Sequence, residues 1–165
     1  MGLVFLVAIL GAAAFHALKT KAHTSQRWIE LFLVYLLVCY CGLFVFGVSI
    51  FGLVDGEQLA KTFGFSTGGP FMQFLCFAFL GMSTIAILSI WLRGQYLIAP
   101  TVCWSIFWLG ATYVHLANAF AAKGYLTFHF FLIVFFSHGI VALLLLGLLW
   151  ASYSTAGRQK NFTGR

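Results

Sequence analysis

The sequence predicts an all-α protein, a polytopic transmembrane helix bundle of about five spans, on three observations. Of its 165 residues, 62% are hydrophobic and 7% charged, against roughly half and a quarter in soluble domains. The apolar residues gather into five runs, most of which reach the about 20 residues that a helix needs to cross the hydrocarbon. Those runs are apolar on every face, whereas a transmembrane strand alternates polar with apolar over about 10 residues. No segment outside them is long enough to bury a core, so one transmembrane domain over residues 1–165 is expected and no soluble domain.

The first run, 2–18, is short and ends in small residues, as a signal peptide would. No Lys or Arg precedes Lys19, so the basic region of a signal peptide is missing and a retained helix is expected. The second span runs over about 28–54. Glu30 at its opening lies three residues after Arg27, close enough to pair on a helix, and a carboxylate in a first turn suits the helix dipole. Gly42, Gly47 and Gly52 are five apart, stepping about 140° each time, so they form no shared small-residue face.

The loop "GFSTGGP" leads into the third span, 70–92, with glycines for unusual dihedrals and Pro70 suited to a first turn. Only "RGQ" separates it from the fourth span, 96–120, so these two are antiparallel neighbours. Arg93 there marks the interface, its head free to reach lipid phosphates. The fifth span, 126–153, follows a short loop near Lys123 and packs beside the fourth. Cys39, Cys41, Cys76 and Cys103 all fall inside spans and form neither a disulfide framework nor a CxxC motif.

Orientation follows from the basic residues. Five spans place Lys19, Lys21, Arg27, Arg93, Arg158, Lys160 and Arg165 on one face, and Lys61 and Lys123 on the other. The first face is therefore cytoplasmic, with the C-terminus on it and the N-terminus extracytoplasmic. The localisation expected is a prokaryotic cytoplasmic membrane, as a multi-pass integral protein. The +6 net charge needs no nucleic acid, because Lys19, Lys21, Arg27, Arg93, Arg158 and Lys160 meet anionic headgroups at about 1 kcal/mol each near the surface. Bound membrane lipids are the expected partners, and no extramembrane basic and aromatic patch invites nucleic acid. The "NFT" at Asn161 falls on the cytoplasmic tail and is read as a chance match to a glycosylation acceptor.

The polar residues inside the spans are the functional candidates. Counted at 1.5 Å per residue from the loop near Lys123, His115 is about 12 Å down one helix and His129 about 9 Å down the next, a similar depth. His138 is about 22 Å down, near the membrane centre, and half a turn out of phase with His129. Trp104, Trp108, Ala111, His115 and Asn118 follow a three-to-four spacing and form one helix face. His138 can approach that face near Trp108, so Trp108, His115 and Asn118 are expected to line a polar interior.

Three roles fit these groups. They can form interhelical hydrogen bonds, each about 0.6 kcal/mol on average. His115, His129 and His138 can bind a cofactor, since neutral imidazole ligates haem, a pigment or a copper ion. Or they can line a path for protons or a small solute. No nucleophile with a base and an orienting acid is recognisable, so no catalytic residue is assigned.

A stretch from Gly64 to His115 resembles an uncharacterised family, a domain of unknown function, of small multi-pass bacterial and archaeal membrane proteins. The likeness rests on Gly69, Pro70 and Phe71, on Trp91, Arg93 and Gly94, and on Phe107, Leu109, Gly110 and Ala111 leading to His115. It covers about a third of the chain and implies a membrane architecture and His115 as a family feature, without an activity.

The function expected is therefore a binding or assembly role. An accessory subunit of a membrane complex, with protein partners or a second copy of itself on its aromatic-rich faces, leads. A histidine-ligated haem, pigment or metal protein in membrane electron transfer is the alternative, and a small-solute or proton transporter is the second.

Overall fold

A computed structural model describes residues 2–21, 24–63, 69–123 and 134–163; for residues 2, 63, 118–123, 136, 137 and 156–163 it describes the backbone alone. Among the described residues all regular structure is helical, as the composition requires. A backbone surrounded by hydrocarbon must satisfy its own hydrogen bonds, and a helix does this within one segment.

Helix α1 (Gly2–Lys19) corresponds to the first apolar run. Helix α2 (Ser25–Val54) begins at Thr24, whose hydroxyl accepts from Arg27 N–H at 3.3 Å and so caps the helix. In its middle, Leu36–Phe44 winds as a π-helix. Asp55 then caps α3 (Gly56–Phe63), accepting from Gln58 N–H at 3.0 Å.

Helix α3 lies where the sequence reads as a loop. Its pattern explains the difference, because Leu59 and Ala60 are buried while Glu57, Gln58 and Lys61 are exposed. This short amphipathic turn sets its apolar side on Met72 and Cys76 of the next helix.

Helix α4 (Gly69–Leu88) runs antiparallel to α2. A Cβ built on Gly42 would meet Ile87 Cγ1 at 2.7 Å, and one on Gly52 would collide with Leu59 and Cys76 side chains. Gly42 thus sits opposite the end of α4 and Gly52 opposite Cys76 in its first half. The spacing of the three glycines predicts no common face, yet two of them are crossing points. Backbone proximity along an antiparallel pair requires small residues at separate contacts, not a four-residue repeat.

A 3₁₀ turn, Gly94–Leu97, opens α5 (Ile98–Lys123). Gly94 takes φ +65°, a left-handed conformation natural to glycine. The Tyr96 hydroxyl donates to the Ile85 carbonyl at 2.8 Å and ties this turn back to α4. Helix α6 begins with a second π-helical segment, Phe135–Gly139, and continues as Ile140–Thr163.

Among the described residues, three helices are long and apolar enough to cross a membrane: Ser25–Val54, Gly69–Leu88 and Gly94–Ala117. Leu3–Lys19 and Ile140–Thr155 are shorter apolar helices, and residues 126–133 of the fifth expected span lie outside the described residues. Trp104, Leu33, Leu36, Leu37, Val141 and Leu145 bury fully in the principal core between α2, α5 and α6. Trp104 Nε1 donates to the Met82 carbonyl at 3.3 Å, linking α5 to α4.

Candidate functional site: an imidazole pair among interior aromatics

Trp108 is the hub of the interior. Four residues after Trp104 it stays on the buried face of α5, 6% exposed, and its ring stacks on Trp104 with centroids 5.8 Å apart. Tyr40 comes from the π-helical stretch of α2 and meets it edge-on at 5.5 Å. His138 comes from the π-helical stretch of α6 and lies 5.1 Å away.

Two turns along α5, His115 reaches the same histidine. The His115 and His138 rings have centroids 5.3 Å apart and planes at 43°. Both are partly buried. The neighbouring α5 turn is held by Thr112, whose hydroxyl donates to the Trp108 carbonyl at 2.8 Å.

Both π segments bear on this geometry. A π-helical turn bonds i to i+5 instead of i to i+4, so it rotates the side chains that follow and relaxes the carbonyls within it. His138 Nδ1 lies 3.3 Å from the Val134 carbonyl, four residues back. With Nδ1 as the donor there, Nε2 carries the lone pair of the neutral ring.

Among the described residues the buried indole N–H of Trp108 makes no close hydrogen bond to oxygen or nitrogen, and the Cys41 sulfur interacts with it.

The structure thus brings together His115, His138 and Trp108. The Asn118 side chain and His129 lie outside the described residues. Among the described residues, no group of three or more His, Cys, Asp and Glu could hold a metal ion, and His115 and His138 stand together as a pair. Lys19, Lys21, Arg27 and Arg93 are all exposed; Arg27 and Arg93 share one end of the bundle because α2 and α4 are antiparallel. The side chains of Arg158 and Lys160 lie outside the description.

Sequence reasoning misses Tyr40, since a single tyrosine in an apolar run does not reveal which helix it faces. It also misses His16, whose Nδ1 is 2.8 Å from the Tyr35 hydroxyl, a hydrogen bond joining α1 to α2.

These features define an all-helical bundle of apolar helices with a polar and aromatic interior. The chain belongs to a Family of unknown function (DUF6790), whose model matches residues 1–158. That match extends well past His115 and takes in both π segments. No curated protein and no solved structure matches the chain.

Proposed function

We propose that this chain is a membrane-embedded binding protein working within a larger membrane assembly, and that it binds its ligand through His115 and His138. The observation that carries this reading is the 5.3 Å approach of two imidazoles from different helices. Glu30, Asp55 and Glu57, the only acidic residues, lie near helix ends, away from that pair.

The spacing suits one metal ion. With metal–nitrogen bonds of about 2.0–2.1 Å and roughly 1.1 Å more to each ring centre, two imidazoles on one ion put their centroids at most about 6.3 Å apart. A bent arrangement brings them to the observed distance. A haem between two axial histidines would need a macrocycle separating the rings, and their close, tilted contact beside Trp108 opposes that. Imidazole suits copper, zinc, iron and nickel, and with two protein ligands the ion would complete its shell from elsewhere.

The proposal includes five crossings of a prokaryotic cytoplasmic membrane, N-terminus extracytoplasmic and C-terminus cytoplasmic. Its support is the seven-to-two distribution of basic residues between the two faces. The assembly half rests on α4, where Phe71, Phe74 and Phe77 form an exposed stripe at three-residue spacing, a face for a partner helix.

The test is gentle purification from the native membrane, followed by an absorption spectrum, metal analysis and identification of co-purifying proteins. About one metal per chain, lost in both His115→Ala and His138→Ala, is the expected result. A colourless, metal-free wild-type protein would return the pair to interhelical contact. A chain that purifies alone would end the assembly half.

A further inference from the structure

The basic end of the bundle holds one carboxylate. Asp55 and Glu57 flank the start of α3 at the opposite end, so Glu30 stands alone among Arg27, Arg93, Lys19 and Lys21. The sequence suggests that Glu30 pairs with Arg27. Among the described residues, however, Glu30 has no hydrogen-bond or ion-pair partner, and Arg27 is exposed.

Glu30 instead lines a cleft of about 170 Å³ between α2, the 3₁₀ turn and α6. The polar walls are Gln26 one turn back, Gln95 of the turn, and Ser152 and Tyr153 of α6. Among these lining residues Glu30 is the only charge, and the others are neutral hydrogen-bonding groups. Arg27 and Arg93 are the chain neighbours of the lining residues Gln26 and Gly94, and both are exposed at this end of the bundle.

A partly buried carboxylate without a partner favours a cation that can donate hydrogen bonds to it. Arginines beside it favour a phosphate. Anionic headgroups satisfy only the arginines, and a trimethylammonium has no N–H to donate. We propose that this cleft binds a phosphoethanolamine group, its primary ammonium on Glu30 and its phosphate on Arg27 and Arg93. Such a group comes from an aminophospholipid headgroup or from a soluble phosphoethanolamine. This site is separate from the histidine pair, and either can fail without the other.

Native mass spectrometry of the full chain, loaded with equal phosphatidylethanolamine, phosphatidylcholine and phosphatidylglycerol, tests the cleft. Wild type is expected to retain phosphatidylethanolamine over phosphatidylcholine by about tenfold, the scale of one charge-assisted hydrogen bond. Glu30→Gln should remove that preference and leave phosphatidylglycerol binding intact, and Glu57→Gln at the opposite end should change neither. On the wild-type chain, N-methylating the headgroup once, twice and three times should weaken retention stepwise, a measurement that needs no variant to fold. Equal retention of the lipids by wild type, no response to methylation, or an undiminished preference in Glu30→Gln would overturn the proposal. Adding soluble phosphoethanolamine distinguishes the sources: displacement of the lipid identifies the group alone as sufficient, and retention identifies the intact lipid as the ligand.

Discussion

His115 and His138 approach each other from α5 and α6 with ring centroids 5.3 Å apart, and His138 also touches Trp108 at 5.1 Å. One histidine therefore joins an imidazole pair to the aromatic core. Replacing His138 affects both contacts, and replacing His115 affects only the pair.

If the pair holds an ion, His115→Ala and His138→Ala should each abolish stoichiometric metal, because two ligands do not divide the task. Chelation of the wild type should lower its melting temperature by the linkage of binding to stability, about 2.7 kcal/mol at a hundredfold excess over Kd. Thermal scans with and without chelator read this directly. An unchanged melting temperature in a metal-loaded sample would mean that the ion does not bind the folded chain preferentially.

Gly42→Ala should destabilise the bundle by about 1–3 kcal/mol, since the new Cβ has no room. It would meet Ile87 Cγ1 at 2.7 Å, and backbone atoms of Leu37 and Ile87 at 3.2 and 3.4 Å. Gly47→Ala, with nothing within 4 Å of its Cβ, should be neutral or stabilise by up to about 1 kcal/mol through helix propensity. Unfolding of both variants in the same detergent gives the contrast, and equal effects would refute the α2–α4 crossing at Gly42.

Tyr35→Phe deletes the hydroxyl 2.8 Å from His16 Nδ1 while keeping the ring that meets His16 edge-on at 5.7 Å. The expected loss is about 0.6 kcal/mol and below 2 kcal/mol, the range of hydrogen bonds between transmembrane helices. His16→Ala combined with Tyr35→Phe should cost no more than His16→Ala alone. A double-mutant cycle settles whether the bond holds α1 to α2.

Trp104→Ala should cost on the order of 3–5 kcal/mol, because Trp104 is fully buried and its loss leaves a cavity. Trp104→Phe should cost less, chiefly through the lost bond to the Met82 carbonyl. A similar cost for both variants would mean that the hydrogen bond, not the ring's volume, holds α5 to α4.

Part of the site is legible in the sequence. The three-to-four spacing of Trp104, Trp108, Ala111 and His115 gives one face of α5, and the short loop near Lys123 makes the next helix its neighbour. Tyr40 is not legible, because it reaches Trp108 through a π-helical stretch that leaves no mark in the residue pattern. Helix α3 is legible in hindsight: its polar and apolar residues alternate at helical spacing, but the stretch is only eight residues long and sits among glycines.

Composition and run length by themselves determine that this chain is a set of apolar helices, because hydrocarbon offers the backbone no hydrogen-bond partners. The distribution of basic residues is likewise written in the sequence. Only the tertiary structure decided which faces meet. Lipid and a helix interior are equally apolar, so hydrophobicity does not separate inward from outward faces, and close packing makes the choice. Gly42 and Gly52 admit α4, Trp104 fills the core, and the two π segments bring Tyr40 and His138 to Trp108.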